Sequence, residues 1–100
     1  MMMFTKRAIK TGKMKEAIAT VQTLADEYRV NKPGVLALTI AKDDKEANVL
    51  HNVMVFANME AFNSLIEDEG KDAELMAKMN ACRECYDTDK VFTGEVWSAD

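Results

Sequence analysis

From Val49 to Ala57 the chain is almost unbroken in apolar character. At Asn58 it passes without a loop into Glu60, Ala61, Phe62 and Leu65 at helical spacing. A strand with large apolar groups on both faces therefore runs straight into a helix, and Asn58 is the residue type that caps one. Such a strand needs cover on both sides. A chain of 100 residues forms one core, and one core covers one side. The mismatch calls for a partner subunit.

The rest of the chain arranges itself around that strand. Met2 to Ile9 alternates Met2, Phe4, Lys6 and Ala8 with Met3, Thr5, Arg7 and Ile9, the period of a strand. Thr11 and Gly12 break it. From Lys13 the period lengthens: Met14, Ala17, Ile18, Val21, Leu24, Ala25 and Tyr28 lay one apolar stripe along a helix. Asn31 can take the left-handed conformation that closes that helix, and Lys32-Pro33-Gly34 prevents its continuation. Val35 to Ala41 reads as a second strand, joined by the charged turn Lys42 to Glu46 to the strand at Val49, so the two form an antiparallel hairpin. Gly70 breaks the Asn58 helix. A further helical stretch spans Asp72 to Tyr86, with Leu75, Met76, Met79, Cys82 and Tyr86 inward, and Val91 to Trp97 is the last strand.

Strand, helix, strand, strand, helix, strand is the ferredoxin-like βαββαβ plan of the α+β class, here a single domain over residues 1–100. Strands one and three sit in the middle of a four-stranded antiparallel sheet and the helices cover one face. The other face displays apolar groups over more area than monomers usually expose, so dimerisation through it is expected.

Composition removes several functions. A net charge of −4 does not suit the phosphate backbone of nucleic acid as main partner. No apolar run approaches the roughly 20 residues of a membrane span. The basic opening, with Lys6, Arg7, Lys10, Lys13 and Lys15, lacks the long apolar core and cleavage pattern of a signal peptide, which leaves a cytoplasmic setting as the expectation. Phosphate loops, nucleophile elbows and metal-binding helix motifs are absent from the sequence.

Lys32-Pro33-Gly34-Val35, and Val49-Leu50-His51-Asn52-Val53-Met54-Val55-Phe56 leading into Asn58-Met59-Glu60-Ala61-Phe62, carry a family resemblance. The chain resembles the dimeric α/β-barrel superfamily, and most of all its antibiotic-biosynthesis-monooxygenase type of domain. That resemblance implies homodimers whose sheets pack face to face into a barrel, with a ligand cavity in each subunit between sheet and helices. It also implies oxidation of quinol or polyphenol substrates by oxygen without metal or flavin, so no cofactor is expected. Where many relatives carry Glu in strand three this chain has Met54, followed by Phe56. The haem-degrading branch has a helical histidine and a nearby tryptophan. Here Asp72 to Tyr86 contains no histidine and the tryptophan region reads Ser64-Leu65-Ile66, which argues against haem degradation.

His51, the only histidine, is the candidate catalytic base, able to take a phenolic proton; a hydrogen-bonded histidine at a strand edge or interface is the alternative. Asn52 points to the opposite side of the strand. Asn52, Asn80, Arg83, Tyr86 and Trp97 are the candidate substrate-binding residues, with Arg83 suited to an anionic group and Tyr86 or Asn80 to orienting the ligand. Cys82 and Cys85 stand in Cys-x-x-Cys spacing near a helix's end rather than its start, and one histidine cannot complete a four-ligand zinc site; structural thiols and no metal are expected. The expected function is binding of a small aromatic molecule in the manner of cofactor-independent monooxygenases. A non-catalytic dimeric ligand-binding or regulatory module is the alternative, and an isomerase of the same superfamily a third.

Overall fold

The computed structural model describes residues 1–90 and 93–98. Its elements are β1 (Met2–Ala8), α1 (Met14–Asn31), β2 (Val35–Lys42), β3 (Val49–Phe56), α2 (Met59–Glu69), α3 (Ala73–Arg83) and β4 (Thr93–Trp97). Val91 and Phe92, expected to begin the last strand, lie outside the described residues. The sheet has the order β2-β3-β1-β4 and every pairing is antiparallel, so strands one and three are central, as the ferredoxin-like plan requires.

Alternation along the strands assigns each residue to a face. Met3, Thr5 and Arg7 of β1, Leu38 and Ile40 of β2, and Leu50, Asn52, Met54 and Phe56 of β3 share the side that the helices cover. Against them α1 buries Ala17, Val21, Leu24 and Tyr28, α2 buries Leu65, and α3 buries Leu75 and Cys82. The stripe read from the sequence of α1 is the one that packs. On the opposite side, in register, lie Met2, Phe4 and Lys6 of β1, His51, Val53 and Val55 of β3, Ala37, Thr39 and Ala41 of β2, and Glu95 and Trp97 of β4. The outer side of β2 is thus small and exposed rather than broadly apolar. A bulge between Val35 and Ala37 leaves Leu36 outside the pairing and exposed.

The helix ends follow local chemistry. Asn58 caps α2, its side-chain oxygen accepting from the Ala61 N–H at 2.8 Å, and Asp72 caps α3 by accepting from Leu75 N–H at 3.1 Å. Two expectations are corrected. Asn31 does not adopt a left-handed conformation; α1 closes at Lys32, whose N–H donates to the Tyr28 carbonyl at 2.8 Å. The helix over Asp72 to Tyr86 stops at Arg83, because Lys10 N–H donates to the Cys85 carbonyl and Asp87 N–H to the Ala8 carbonyl, both at 2.9 Å, turning the chain alongside the end of β1. Ion pairs between Lys78 and Glu27 at 2.7 Å and between Lys32 and Asp68 at 3.0 Å link α3 and α2 to α1.

Gly34 stands close against α2. A Cβ placed there would stand 2.6 Å from the Cβ of Ala61 on α2, and a methyl on a helix backbone cannot swing away. Gly34→Ala is therefore expected to lower stability by about 1–3 kcal/mol, the usual cost of overpacking. Urea unfolding would measure it, and Ala61→Gly in the Gly34→Ala background should recover part of the loss. A stability unchanged in the single variant would show that α2 is free to shift.

Candidate functional site

A cavity of about 290 Å³ lies between the helix-covered side of the sheet and the three helices. Its walls are mostly apolar or aromatic, including Val21, Leu24, Met54, Phe56, Phe62 and Met79. Into this lining project a few polar groups: Thr5 and Arg7 from β1, Tyr28 from α1, Asn52 from β3, Glu69 from the end of α2, and Arg83 and Tyr86 from α3 and the turn after it. Apolar walls with few convergent polar groups are the usual make-up of a small-molecule site, and the volume sits at the lower edge of the roughly 300–1,000 Å³ typical of one. A larger depression, about 490 Å³, opens at the far end of the sheet, but it is lined by Lys6, Glu46, Asn48, Asp87 and Lys90 and has the character of a solvated rim.

Each polar group owes its place to local structure. Asn52 lies in register with Thr5 on β1 and Ile40 on β2, which holds it in the middle of the sheet facing the helices. Its amide oxygen is fully buried and has no hydrogen-bond partner among the described residues. Such a group costs free energy unless something donates to it. Tyr86 pairs as an isolated bridge with Ile9, and that bridge sets its ring beneath the Arg7 guanidinium, 4.3 Å from ring centroid to Cζ. Arg83 is exposed and donates to the Asn80 side-chain oxygen at 3.2 Å.

Burial dominates the electrostatics. It pushes the phenols of Tyr28 and Tyr86 and the thiol of Cys82 upward, so all three stay neutral near pH 7, and it pushes the Arg7 guanidinium downward, against the opposing influence of Tyr86. Cys85 is likewise raised by desolvation, and its Sγ lies 3.7 Å from the Ala81 carbonyl. Both cysteines are free and buried, far from the exposed, low-pKa surroundings of a reactive thiolate.

Of the residues picked out in the sequence, the structure gathers Asn52, Arg83 and Tyr86 around this cavity. His51 stands on the other side of the sheet, half-exposed, with Nε2 2.7 Å from Asp43 Oδ1. Trp97 is also on that open side, 57% exposed and in tilted contact with Phe4, centroid to centroid 5.2 Å. Asn80 is exposed on α3 and reaches the cavity only through its bond to Arg83. Arg7 and Glu69, which are not among the candidate site residues of the sequence, are wall residues. The available signal for Arg7 is phase, since it falls in step with Met3, Thr5 and Ile9 on the inward side of β1.

Comparisons with solved structures match this architecture over nearly the whole chain. A protein from Nitrosomonas europaea, provisionally named an antibiotic biosynthesis monooxygenase, superposes with a TM-score of 0.76 at 8% identity, covering 98% of this chain and 88% of that one. One from Caulobacter crescentus under the same provisional name gives 0.75 at 18% identity, covering 94% and 83%. The fold is that of the antibiotic-biosynthesis-monooxygenase group. A mutant of SnoaB, a cofactor-independent oxygenase from Streptomyces nogalater, shares this fold with a TM-score of 0.73 at 15% identity, covering 98% and 91%. No family model and no curated protein matches the sequence. Among the described residues, no helix is long and apolar enough to cross a membrane.

On the open side, the hydrogen bond from His51, then the amides of Glu46 and Lys45, hold the Asp43 carboxyl well below the usual carboxylate range. A folded pKa below the unfolded value means that the unfolded chain takes up the proton first. Asp43 therefore stabilises fully above about pH 4, and the effect is lost as pH falls toward the folded value. Asp43→Asn should lower the urea midpoint at neutral pH and approach the parent in acid. Parallel curves throughout would mean that Asp43 is not coupled to folding.

Proposed function

We propose that the cavity binds a small aromatic molecule and that the chain acts as a cofactor-independent monooxygenase of quinol or polyphenol substrates. The buried, unpartnered amide of Asn52 carries this reading, because a phenolic hydroxyl donating to it would satisfy the one buried side-chain acceptor left over among the described residues. Tyr86 offers an aromatic face and Arg83 a cation at the rim, while Met54 and Phe56 supply apolar wall. In the reaction proposed, one hydroxyl of the quinol or polyphenol donates to Asn52 while another, ionised, lets the ring pass an electron to dioxygen. One oxygen atom enters the ring, the other leaves as water, and the phenol becomes a quinone. The shared fold with SnoaB supports the class of chemistry and leaves the substrate to experiment.

The same reading includes a homodimer formed through the open side of the sheet, in the cytoplasm. Met2, Phe4, Val53, Val55 and Trp97 supply its apolar centre, with His51 and Lys6 beside them. His51 serves as a base only for a substrate bound on that side, or for one shared across the sheets. Its position favours the second reading, a dimeric ligand-binding or regulatory module without catalysis, for a ligand held in the cavity.

Oxygen uptake with a panel of naphthohydroquinones, without added cofactor, separates the two readings when run beside ligand-induced thermal shifts. Uptake that falls in Asn52→Ala and persists in His51→Ala supports the oxygenase. Thermal shifts without uptake support the binding module, and neither response defeats both. In sedimentation, a dimer at micromolar concentration that dissociates in Val53→Glu is expected, whereas a stable single copy of the parent protein overturns the assembly.

A further inference from the structure

We propose that Glu69 is the general base of the cavity, accepting the proton of the substrate hydroxyl that ionises. The inference rests on the oxygenase reading of the cavity and supplies the base which that reading lacks, since His51 stands on the other side of the sheet. A base needs a place on the wall and a lone pair that is free at neutral pH. The titratable side chains of the wall are Arg7, Tyr28, Glu69, Cys82, Arg83 and Tyr86. A guanidinium has no acceptor. Burial keeps Tyr28, Tyr86 and Cys82 protonated. Among the described wall residues that leaves Glu69, a carboxylate, whose oxygens accept.

Its neighbours in the acidic stretch have structural work and Glu69 has none. Asp68 accepts from Lys32 Nζ at 3.0 Å, and Asp72 caps α3 by accepting from Leu75 N–H at 3.1 Å. Between them, the Glu69 carboxylate makes no hydrogen bond or ion pair among the described residues. As the last residue of α2 it also sits at the negative end of the helix dipole, with no basic residue in that turn, where a carboxylate lowers helix stability. Half-buried there, it faces the cavity beside Tyr28, and its charge, after burial, helps to keep that phenol protonated. In the step proposed, the substrate O–H bond breaks, its proton bonds to a Glu69 carboxylate oxygen, and the electron pair stays on the phenolate, which reduces dioxygen. Protonated Glu69 then gives its proton to the oxygen that leaves as water. Both hydrogens of that water come from the substrate, one of them by way of Glu69.

The test pairs oxygen uptake with 1,4-naphthohydroquinone, above the protein-free background, with calorimetric titration by 2-naphthol. Glu69→Gln is expected to slow uptake by about a hundredfold or more, the range of general base catalysis, while naphthol binds within about twofold of its parent affinity. Glu69→Ala should lose as much and regain part of it when acetate supplies the missing carboxylate. Glu67→Gln, an equal loss of charge on the exposed side of α2, should keep the parent rate. Uptake that survives Glu69→Gln overturns the inference and leaves the oxygenase reading standing. A loss matched by an equal loss of naphthol binding also overturns it, because Glu69 would then hold the wall rather than take a proton. A parent protein that binds naphthol and takes up no oxygen overturns both the inference and the oxygenase reading.

Discussion

Strict alternation along β3 is the constraint on which the rest depends. Leu50, Asn52, Met54 and Phe56 face the helices; Val49, His51, Val53 and Val55 face away. Because β3 is hydrogen-bonded on both edges, to β1 and to β2, it cannot slip by one residue without exchanging every one of these side chains for its neighbour. That lock puts the only histidine and the only inward asparagine of the strand on opposite sides of the sheet. It also divides the molecule into a helix-covered side that holds the cavity and an open side.

The cavity side is held by contacts of very different worth. Phe56, Ile9, Leu50, Leu75 and Cys85 are almost wholly removed from water, and burial of this kind contributes about 1.5–3 kcal/mol for each large side chain. The ion pairs that join the helices contribute far less, since pairs near the surface are worth about 0–1 kcal/mol. Their role is to set spacing: Lys78 with Glu27 fixes where α3 crosses α1, and Lys32 with Asp68 fixes where α2 ends. Gly34 against Ala61 sets how closely α2 can lie.

Much of this was legible beforehand because local chemistry and tertiary packing ask for the same thing. The α1 stripe at spacings of three and four, the Asn58 cap and the hairpin turn all appear where their residues require them. The discrepancies arise where a long-range contact overrides a local preference. Nothing in the helical pattern from Asp72 onward announces that β1 will capture the backbone at Cys85 and Asp87, yet those two hydrogen bonds end α3 early and turn Tyr86 into the cavity. Arg7 escaped notice for a related reason. Beside Lys6 it reads as part of a solvated basic segment, and only the phase of β1, fixed by Met3 and Ile9 being buried or partly so, shows it to be inward.

The same accounting bears on why polar groups sit there at all. An unsatisfied buried acceptor such as Asn52 costs about 1–3 kcal/mol, and a half-buried guanidinium also gives up hydration. A cavity built only for stability would place Leu or Val at both positions, as the neighbouring Leu50 and Met54 do on the same strand. Two polar residues brought together on adjacent central strands, with Tyr86 pinned beneath one of them by backbone bonds, are a local loss of stability in a fold that is otherwise well satisfied. That pattern fits a wall whose one unmet acceptor, the Asn52 Oδ1, is satisfied by a donor on a bound molecule.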